Sequence, residues 1–550
     1  MQAAVVRTRS TRVRPHGALE WITLVTAFLI ALPLLSVIST ALQPGGEAWV
    51  HIANTSLSRY VANTVVLMLG VAALVISMGT VSGWLVTMYG FPGRRLLEYA
   101  LVVPLAMPAY VLAYAYTDWL QFTGPVQGLL RELTGWEARQ YWFPEIRTIG
   151  GAAMVLSFAL YPYVYLLART AFLDLSRNAL EAGRLAGYSA VRVFFHVALP
   201  LARPAVVAGA ALALMETLAD FGTVSYFGLE VFTTGIFKAW MSMGDRVAAG
   251  QLSLCLLGFV VIVLTIERYS RGRAAYHSTL RKAAPVQQLQ GWCAALACAA
   301  CGAPVFFGFV LPTGILLHLA FGDDALRWSE KLTQILGNSV SVAGITALIA
   351  VTLATVMAYS ARLTRLRRVL FANRVASLSY AIPGAVIAVG VLLPLGRFDN
   401  AFADFLERSF GMHVGLVLTG SLFALVYAYL VRFLAIAHQS VEAGLAKITP
   451  SMEDAARSLG AAPLRTLRRV HAPLLASSLA TAALLVFVDV MKELPATFAL
   501  RPFNFDTLAV YAYHLAKDER LAEAALPSLV IVAAGLLPLI LASKRMMRAA

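Results

Sequence analysis

The chain has 550 residues, of which 59% are hydrophobic and 13% charged, and its mean hydropathy is +0.73. A soluble domain carries roughly a quarter charged residues, and a soluble chain of this length would need far more polar surface. The composition therefore excludes a cytosolic enzyme, a disordered protein and, with only four cysteines, a disulfide scaffold. It indicates a polytopic α-helical membrane protein.

Apolar runs of about 20 residues, the length that crosses a bilayer as a helix, recur along the whole chain. We expect each run to form a transmembrane helix, because prolines and glycines are tolerated where neighbouring helices satisfy the freed backbone groups. The first run is longer than the core of a signal peptide, and we predict that it remains as an anchor. The twelve runs lie near residues 19–41, 61–88, 96–117, 149–168, 201–224, 250–266, 291–318, 338–360, 375–396, 413–436, 474–500 and 524–543.

Positive charges are distributed unevenly over the connections between these runs. With the amino terminus inside, 30 of the 44 Lys and Arg residues lie in cytoplasmic segments, Arg432 among them, while 13 lie outside and Lys492 lies within a span. Cytoplasmic loops are the ones that carry an excess of Lys and Arg, so we predict that both termini are cytoplasmic. The formal charge of +15 is then a result of topology, and we expect membrane lipid rather than nucleic acid as a partner.

The two halves of the chain resemble each other. At an offset of 275 residues, Asn63-Thr64-Val65 matches Asn338-Ser339-Val340, and Pro108 matches Pro383. Two six-span halves in the same orientation predict a parallel repeat about an axis along the membrane normal. We therefore expect a cytoplasmic amino-terminal segment, a first six-helix domain, a cytoplasmic linker, a second six-helix domain and a cytoplasmic tail, at residues 1–18, 19–267, 268–290, 291–543 and 544–550.

One loop motif occurs once in each half, between spans 4 and 5 and between spans 10 and 11. The copies read EAGRLAGYSAVRVFFHVALP and DAARSLGAAPLRTLRRVHAP. In both, an acid and two small residues are followed by a glycine that suits a left-handed stop after a short helix, and later by a proline. A loop that has small side chains on one face and occurs once in each half is typical of a surface that binds a partner with two-fold symmetry. The residues concerned are Glu181, Ala182, Gly183, Gly187 and Pro200, and Asp454, Ala455, Ala456, Gly460 and Pro473.

Both copies resemble the EAA loop of ABC-importer permeases, in which E-A-A is followed after three residues by G and after nine more by I-x-L-P. The copies depart from it at Gly183 and Val197, and at Asp454, Val470 and Ala472. The resemblance implies the type I permease fold, two permease domains in the bacterial inner membrane, a cytoplasmic ATPase dimer seated on the loops, and a periplasmic substrate-binding protein. The chain has no G-x-x-x-x-G-K-[ST] phosphate loop, so we expect no enzyme activity and no bound cofactor, with ATP and Mg on the partner ATPase.

Aligning the loop prolines brings two further acid pairs into register, Glu216 with Asp489 and Asp220 with Glu493. Acids four residues apart share one face of a helix, and ionisable residues inside a membrane mark a pathway or a paired interior. Carboxylates in a two-fold pathway would attract a hard cation. The alternative is structural, with Lys492 paired to Asp489 and other acids bound to backbone groups that Pro495 leaves free. Direct metal ligation stays open.

The segment from Lys492 to Ala516, KELPATFALRPFNFDTLAVYAYHLA, looks like that of the ferric-iron ABC-importer permeases, whose single chains also carry two fused halves. That resemblance implies Fe(III) as the transported substrate. An ABC permease for another small solute, such as thiamine, a polyamine or a phosphonate, remains an alternative. A secondary transporter driven by an ion gradient is a further one.

Overall fold

The computed structural model describes residues 17–137, 140–175, 177–271, 287–322, 329–460 and 463–549, which are almost entirely helical. Most of the predicted amino-terminal segment 1–18, most of the predicted linker 268–290 and the last residue of the predicted tail lie outside these ranges. The first half contains helices α1 (Gly17–Ala41), α2 (Glu47–Thr55), α3 (Leu57–Met88), α4 (Arg94–Ala100), α5 (Ala109–Leu120), α6 (Pro125–Thr134), α7 (Ile149–Leu173), α8 (Arg177–Leu185), α9 (Ala190–Val193), α10 (Leu199–Ala219), α11 (Gly222–Tyr226), α12 (Phe232–Phe237) and α13 (Arg246–Arg271). The second half contains α14 (Gly291–Val305), α15 (Leu311–Phe321), α16 (Glu330–Thr364), α17 (Arg367–Leu378), α18 (Gly384–Phe410), α19 (Leu422–Ala446), α20 (Pro450–Ser458), α21 (Pro463–Thr466), α22 (Ala472–Met491), α23 (Pro495–Leu500), α24 (Leu508–Lys517) and α25 (Leu521–Ala549).

The described residues contain 11 helices that are long and apolar enough to cross a membrane. One further pair, Arg94–Ala106 and Ala109–Thr134, passes the same test as a single span bent by 93°. The bend lies at Pro108, which precedes the first residue of α5, and Pro383 holds the same place before α18. Proline has no backbone N–H to continue a helix from the preceding turn. The prediction of an all-α membrane fold with about twelve spans in two six-helix repeats is confirmed.

The tenth span begins at Leu422 rather than at residue 413. The apolar stretch before it is a loop, in which Gly411 and Gly420 adopt positive φ values of 65° and 74°. The carboxylate of Asp399, buried in α18, accepts hydrogen bonds from the backbone N–H groups of Leu418 and Thr419 at 3.0 and 2.6 Å. These bonds satisfy loop backbone that no helix pairs, so an apolar sequence is held in a non-helical form.

Spans 5 and 11 end earlier than the sequence predicts. The helix α10 ends at Ala219 and α22 ends at Met491, and each is followed, after a break, by a separate short helix, α11 or α23. The expectation that Glu216 and Asp220, or Asp489 and Glu493, share one face of a continuous helix is therefore wrong. The second acid of each pair lies in the break after the helix.

Each half places its first span against the other half. The helix α1 packs on α16, α17 and α18, and α14 packs on α3 and α4. A short parallel pair of strands, β1 (Tyr89–Gly90) and β2 (Gln287–Gln288), joins the end of α3 to the segment that precedes α14. The halves are thereby interlocked, and the space between them is bounded by both.

Candidate translocation pathway and coupling loops

The described parts of the two EAA-like loops, residues 181–200 and residues 454–460 and 463–473, have the same backbone course. Each begins in a short helix, α8 or α20, and passes through Gly187 or Gly460, whose φ values are +80° and +76°. The predicted left-handed stop is confirmed at both glycines. Each loop then continues through a further short helix and a π-turn, Phe194–Ala198 or Leu467–His471, into α10 or α22, with Pro200 or Pro473 exposed in the first turn.

The small residues of these loops face two different ways. Gly183 and its equivalent Ala456 are buried, and a Cβ atom on Gly183 would lie 3.3 Å from Val197 Cγ2. Ala182 and Ala455 are exposed. The inner small residue of each pair therefore lets the short helix pack on its own chain, and the outer one is available to a partner.

Exposed side chains accompany the outer alanines. Glu181 and Asp454 lie beside them in α8 and α20 and are exposed. Leu185 and Leu459, close to the loop glycines, have 90% and 88% of their surface exposed. Such exposed apolar side chains next to a rigid turn are typical of a protein contact.

A cavity of about 130 Å³ lies between the halves and is lined by side chains from both. All four predicted pathway acids line it, together with two bases and three tyrosines. The structure thus brings the four acids into one site, away from the loop residues, none of which lines the cavity. The charged and phenolic lining residues are Glu216, Asp220, Asp489, Glu493, Arg432, Lys492, Tyr110, Tyr163 and Tyr380.

Two of the acids cap helices. The Asp220 carboxylate accepts hydrogen bonds from the N–H groups of Thr223 and Val224, at 3.1 and 3.2 Å. Glu493 accepts from the N–H groups of Ala496 and Thr497, both at 2.9 Å, just beyond Pro495. A carboxylate at a helix start satisfies N–H groups that have no partner within the helix. The structural alternative therefore accounts for both positions.

The other two acids have different partners. Asp489 Oδ1 lies 2.8 Å from Lys492 Nζ, which confirms the pairing expected as the structural alternative. Glu216 Oε1 accepts a hydrogen bond of 2.6 Å from the hydroxyl of Tyr380, a residue of the opposite half. Glu493 also forms an ion pair with Arg432 at 3.1 Å.

Arg432 is a base lining the cavity that the sequence analysis missed. Its assignment to a cytoplasmic segment is wrong, because it lies near the middle of α19 and its side chain is only 11% exposed. The predicted run 413–436 placed Arg432 near its cytoplasmic end, whereas the helix extends to Ala446. The sequence does indicate the residue: Arg432 is a base in an apolar run, and the equivalent residue of the first half is Ala159.

Among the residues that the structure describes, no three His, Cys, Asp or Glu side chains are arranged to hold a metal ion. The cavity acids are instead divided between helix caps, an ion pair with Lys492 and a hydrogen bond from Tyr380. A cation passing through the cavity would therefore have to compete with existing partners.

Comparison with known proteins agrees with the fold. Residues 75–270 match the family of binding-protein-dependent transport system inner membrane components. The chain is 26% identical to the Fe(3+)-transport system permease protein FbpB 2 of Haemophilus influenzae, over 95% of this chain and 98% of the relative. It is 24% identical to the ferric transport system permease protein FbpB of Actinobacillus pleuropneumoniae, over 76% of this chain and 61% of that one. It is also 23% identical to a probable ABC transporter permease of Sinorhizobium fredii, over 92% and 91%.

The many membrane-spanning helices and these similarities indicate a transport permease like those of ATP-binding-cassette transporters. Within that class it is a permease with two fused halves, similar over nearly its whole length to a ferric-iron transport permease.

Proposed function

We propose that this permease forms the translocation pathway for Fe(III) delivered by a periplasmic substrate-binding protein. The observation that carries the proposal is the cavity between the halves, which is lined by four carboxylates. Fe(III) is a hard cation, and hard cations prefer oxygen ligands. The similarity to ferric-iron permeases over most of the chain supports the same substrate.

Of the four acids, Glu216 and Asp489 are the proposed substrate contacts. Glu216 has only a neutral phenol as a hydrogen-bond partner among the described residues, and Asp489 is paired with a lysine on the same chain segment. Asp220 and Glu493 fix the short helices α11 and α23 beside the cavity. They shape the pathway rather than exchange partners during transport.

The energy comes from a separate chain in this proposal. A cytoplasmic ATPase dimer binds ATP and Mg, and its two subunits contact the two EAA-like loops. The exposed residues Ala182 and Ala455 provide equivalent contacts in the two loops, and Leu185 and Leu459 provide apolar contacts at neighbouring positions. This arrangement needs no nucleotide or other cofactor on the permease itself.

The orientation in the bacterial inner membrane follows from the loops. If they contact the ATPase, both termini and the 268–290 linker between the permease domains 19–267 and 291–543 are cytoplasmic. A Ser278→Cys variant without the native cysteines should react with an impermeant thiol reagent from the cytoplasmic side only. Reaction from the periplasmic side only would contradict this topology.

The substrate is tested by reconstitution of the permease with its ATPase and binding protein. We expect ATP-dependent uptake of radioactive Fe(III), and we expect Glu216→Gln to reduce it at least about tenfold, or about 1.4 kcal/mol, without loss of folded protein. Lys331→Met, at an exposed residue outside the cavity, is the control. Uptake of a phosphonate, a polyamine or thiamine in place of Fe(III) would keep the permease role and reject iron.

A further inference from the structure

The charges that line the cavity are unequally shared between the halves. The first half contributes Glu216 and Asp220 and no base, whereas the second contributes Asp489 and Glu493 together with Arg432 and Lys492. The positions equivalent to the two bases are Ala159 and Ala219, which also line the cavity. Four acids and two bases leave a formal excess of negative charge between the halves.

The two bases are held very differently. The ion pair of Arg432 with Glu493 is deeply buried, with side-chain exposures of 11% and 1%, and Glu493 is further fixed by the backbone of α23 and the hydroxyl of Thr497. Lys492 lies just after the last residue of α22, and its side chain is 34% exposed. Its ion-pair partner Asp489 accepts no other hydrogen bond from the described residues and is 21% exposed. The Arg432 pair is therefore fixed, and the Lys492 pair can open.

The cavity can admit an ion beside this pair. Its volume of about 130 Å³ is several times what one water molecule requires. Glu216 faces it and forms no close ion pair among the described residues; the Tyr380 hydroxyl donates to it, and the charges of Lys492 and Arg432 act on it from a greater distance. One carboxylate is thus available at once, and a second becomes available when Lys492 moves.

We propose that Lys492 is a tethered counter-ion that sets the charge selectivity of the pathway. An entering multivalent cation displaces the Lys492 ammonium from Asp489 and binds between Asp489 and Glu216. The lysine ammonium is a compact charge on a flexible stem, so it can leave without breaking the backbone. A monovalent ion gains no charge advantage over the ammonium that it would replace, so it does not open the pair of Lys492 with Asp489. This inference rests on the proposed cation transport and specifies the residue that selects the cation.

The test uses Tb(III), a hard trivalent probe whose luminescence is sensitised by nearby tyrosines, on the full chain in lipid nanodiscs. Tyr110, Tyr163 and Tyr380 line the cavity and serve as the sensitisers. We expect Lys492→Met to bind Tb(III) at least about tenfold more tightly than wild type, and Glu216→Gln at least about tenfold more weakly. Lys492→Arg should stay close to wild type, and so should the control Lys331→Met. Sodium, added at a concentration that carries the same total charge as the Tb(III), should compete measurably with Tb(III) only in Lys492→Met.

Unchanged Tb(III) affinity in folded Lys492→Met would overturn the proposal. A second variant, Lys492→Gln, keeps a hydrogen-bond donor for Asp489, and failure of both neutral variants to fold would assign the pair a structural role and also reject it. The proposed function is judged separately by uptake. If wild type imports Fe(III) but Lys492→Met shows no gain in affinity, only the counter-ion role fails. If the affinities follow the expected order but Fe(III) is not imported, the iron assignment fails.

Discussion

The first and second halves of this permease share a backbone plan but differ in the chemistry of equivalent positions. The helices α7 and α19 have the same length and begin at equivalent residues, yet Ala159 in one corresponds to the buried Arg432 in the other. The short helices that follow α10 and α22 are both capped by an acid at the N-terminus, Asp220 or Glu493. Only Glu493 is also paired with a base. Fusion of two halves in one chain allows such divergence, because a homodimer must place the same residue on both sides of its axis.

A second site shows the same divergence away from the cavity. In the first half Arg169 forms an ion pair with Glu98. At the equivalent positions the second half has Glu442 and Asn373, and the buried His438 lies between them, 2.5 Å from Asn373 Oδ1 and 3.9 Å from Glu442 Oε2. An acid thus replaces the base on α19 and a neutral amide replaces the acid opposite it, while a polar side-chain contact at this place is kept. Packing position is thus more constant between the halves than charge.

The largest difference between the halves is expected at the capping acids. Glu493→Gln leaves Arg432 buried without its counter-charge, and breaking one side of a buried pair costs about 3–5 kcal/mol. Asp220→Asn loses no ion pair, and asparagine caps helices nearly as well as aspartate, so we expect about 1 kcal/mol or less. Thermal unfolding of the purified variants in detergent measures both.

The double variant Arg432→Met/Glu493→Gln is the control for that comparison, since it removes the uncompensated charge. It should recover much of the stability that Glu493→Gln loses. Equal destabilisation by Asp220→Asn and Glu493→Gln would show that the two halves are energetically alike at this position and that the ion pair contributes nothing.

The loop glycines should show where the halves remain equivalent. At positive φ a side chain with a Cβ costs about 1–2 kcal/mol, so Gly187→Val and Gly460→Val should each weaken ATPase binding about 5- to 30-fold. Gly135→Val is the matched control, because its φ is also positive, at +69°, while it precedes α7 at the end opposite the first loop. If ATPase binding is lost in one loop variant and retained in the other, the two loops contribute unequally to ATPase binding, as the two halves contribute unequally to the charges of the cavity.

The sequence predicted what depends on apolar length and repeated motifs. The twelve-span fold, the loop glycines and the set of four acids all follow from local patterns that the structure keeps. Hydropathy gave the wrong span boundaries where tertiary contacts determine whether an apolar stretch is helical. The apolar stretch before Leu422 is a loop because Asp399 binds its backbone. The span instead extends to Ala446, which places Arg432 in its middle rather than near its cytoplasmic end.

The ends of α10 and α22 were missed for a related reason. Charged residues directly follow Ala219 and Met491, but the apolar residues beyond Asp220 and beyond Lys492-Glu493 extended the predicted runs to 224 and 500. Pro495 was a usable signal in the second half, but the first half has Gly222 at the equivalent place. Which partner each acid finds depends on helix directions after the breaks, and no local pattern contains that information.

The smallest effect is expected at an ion pair that joins the halves. Arg147 Nη2 lies 2.6 Å from Glu519 Oε1, and the side chains are 33% and 56% exposed. The equivalent positions, Gly420 and Arg246, cannot form the symmetric pair, so this contact exists on one side of the pseudo-two-fold axis only.

Exposed ion pairs contribute at most about 1 kcal/mol to stability and are screened by salt. Arg147→Met should therefore lower the unfolding temperature slightly at low salt and leave it unchanged at high salt. Arg520→Met, which breaks an exposed pair with Glu523 within one half, provides the comparison. The exchange Arg147→Glu/Glu519→Arg should restore wild-type stability if the contact acts through charge. A loss that persists at high salt would instead assign the effect to the packing of Arg147 on the Tyr226 ring, 5.2 Å away, which lies within the first half.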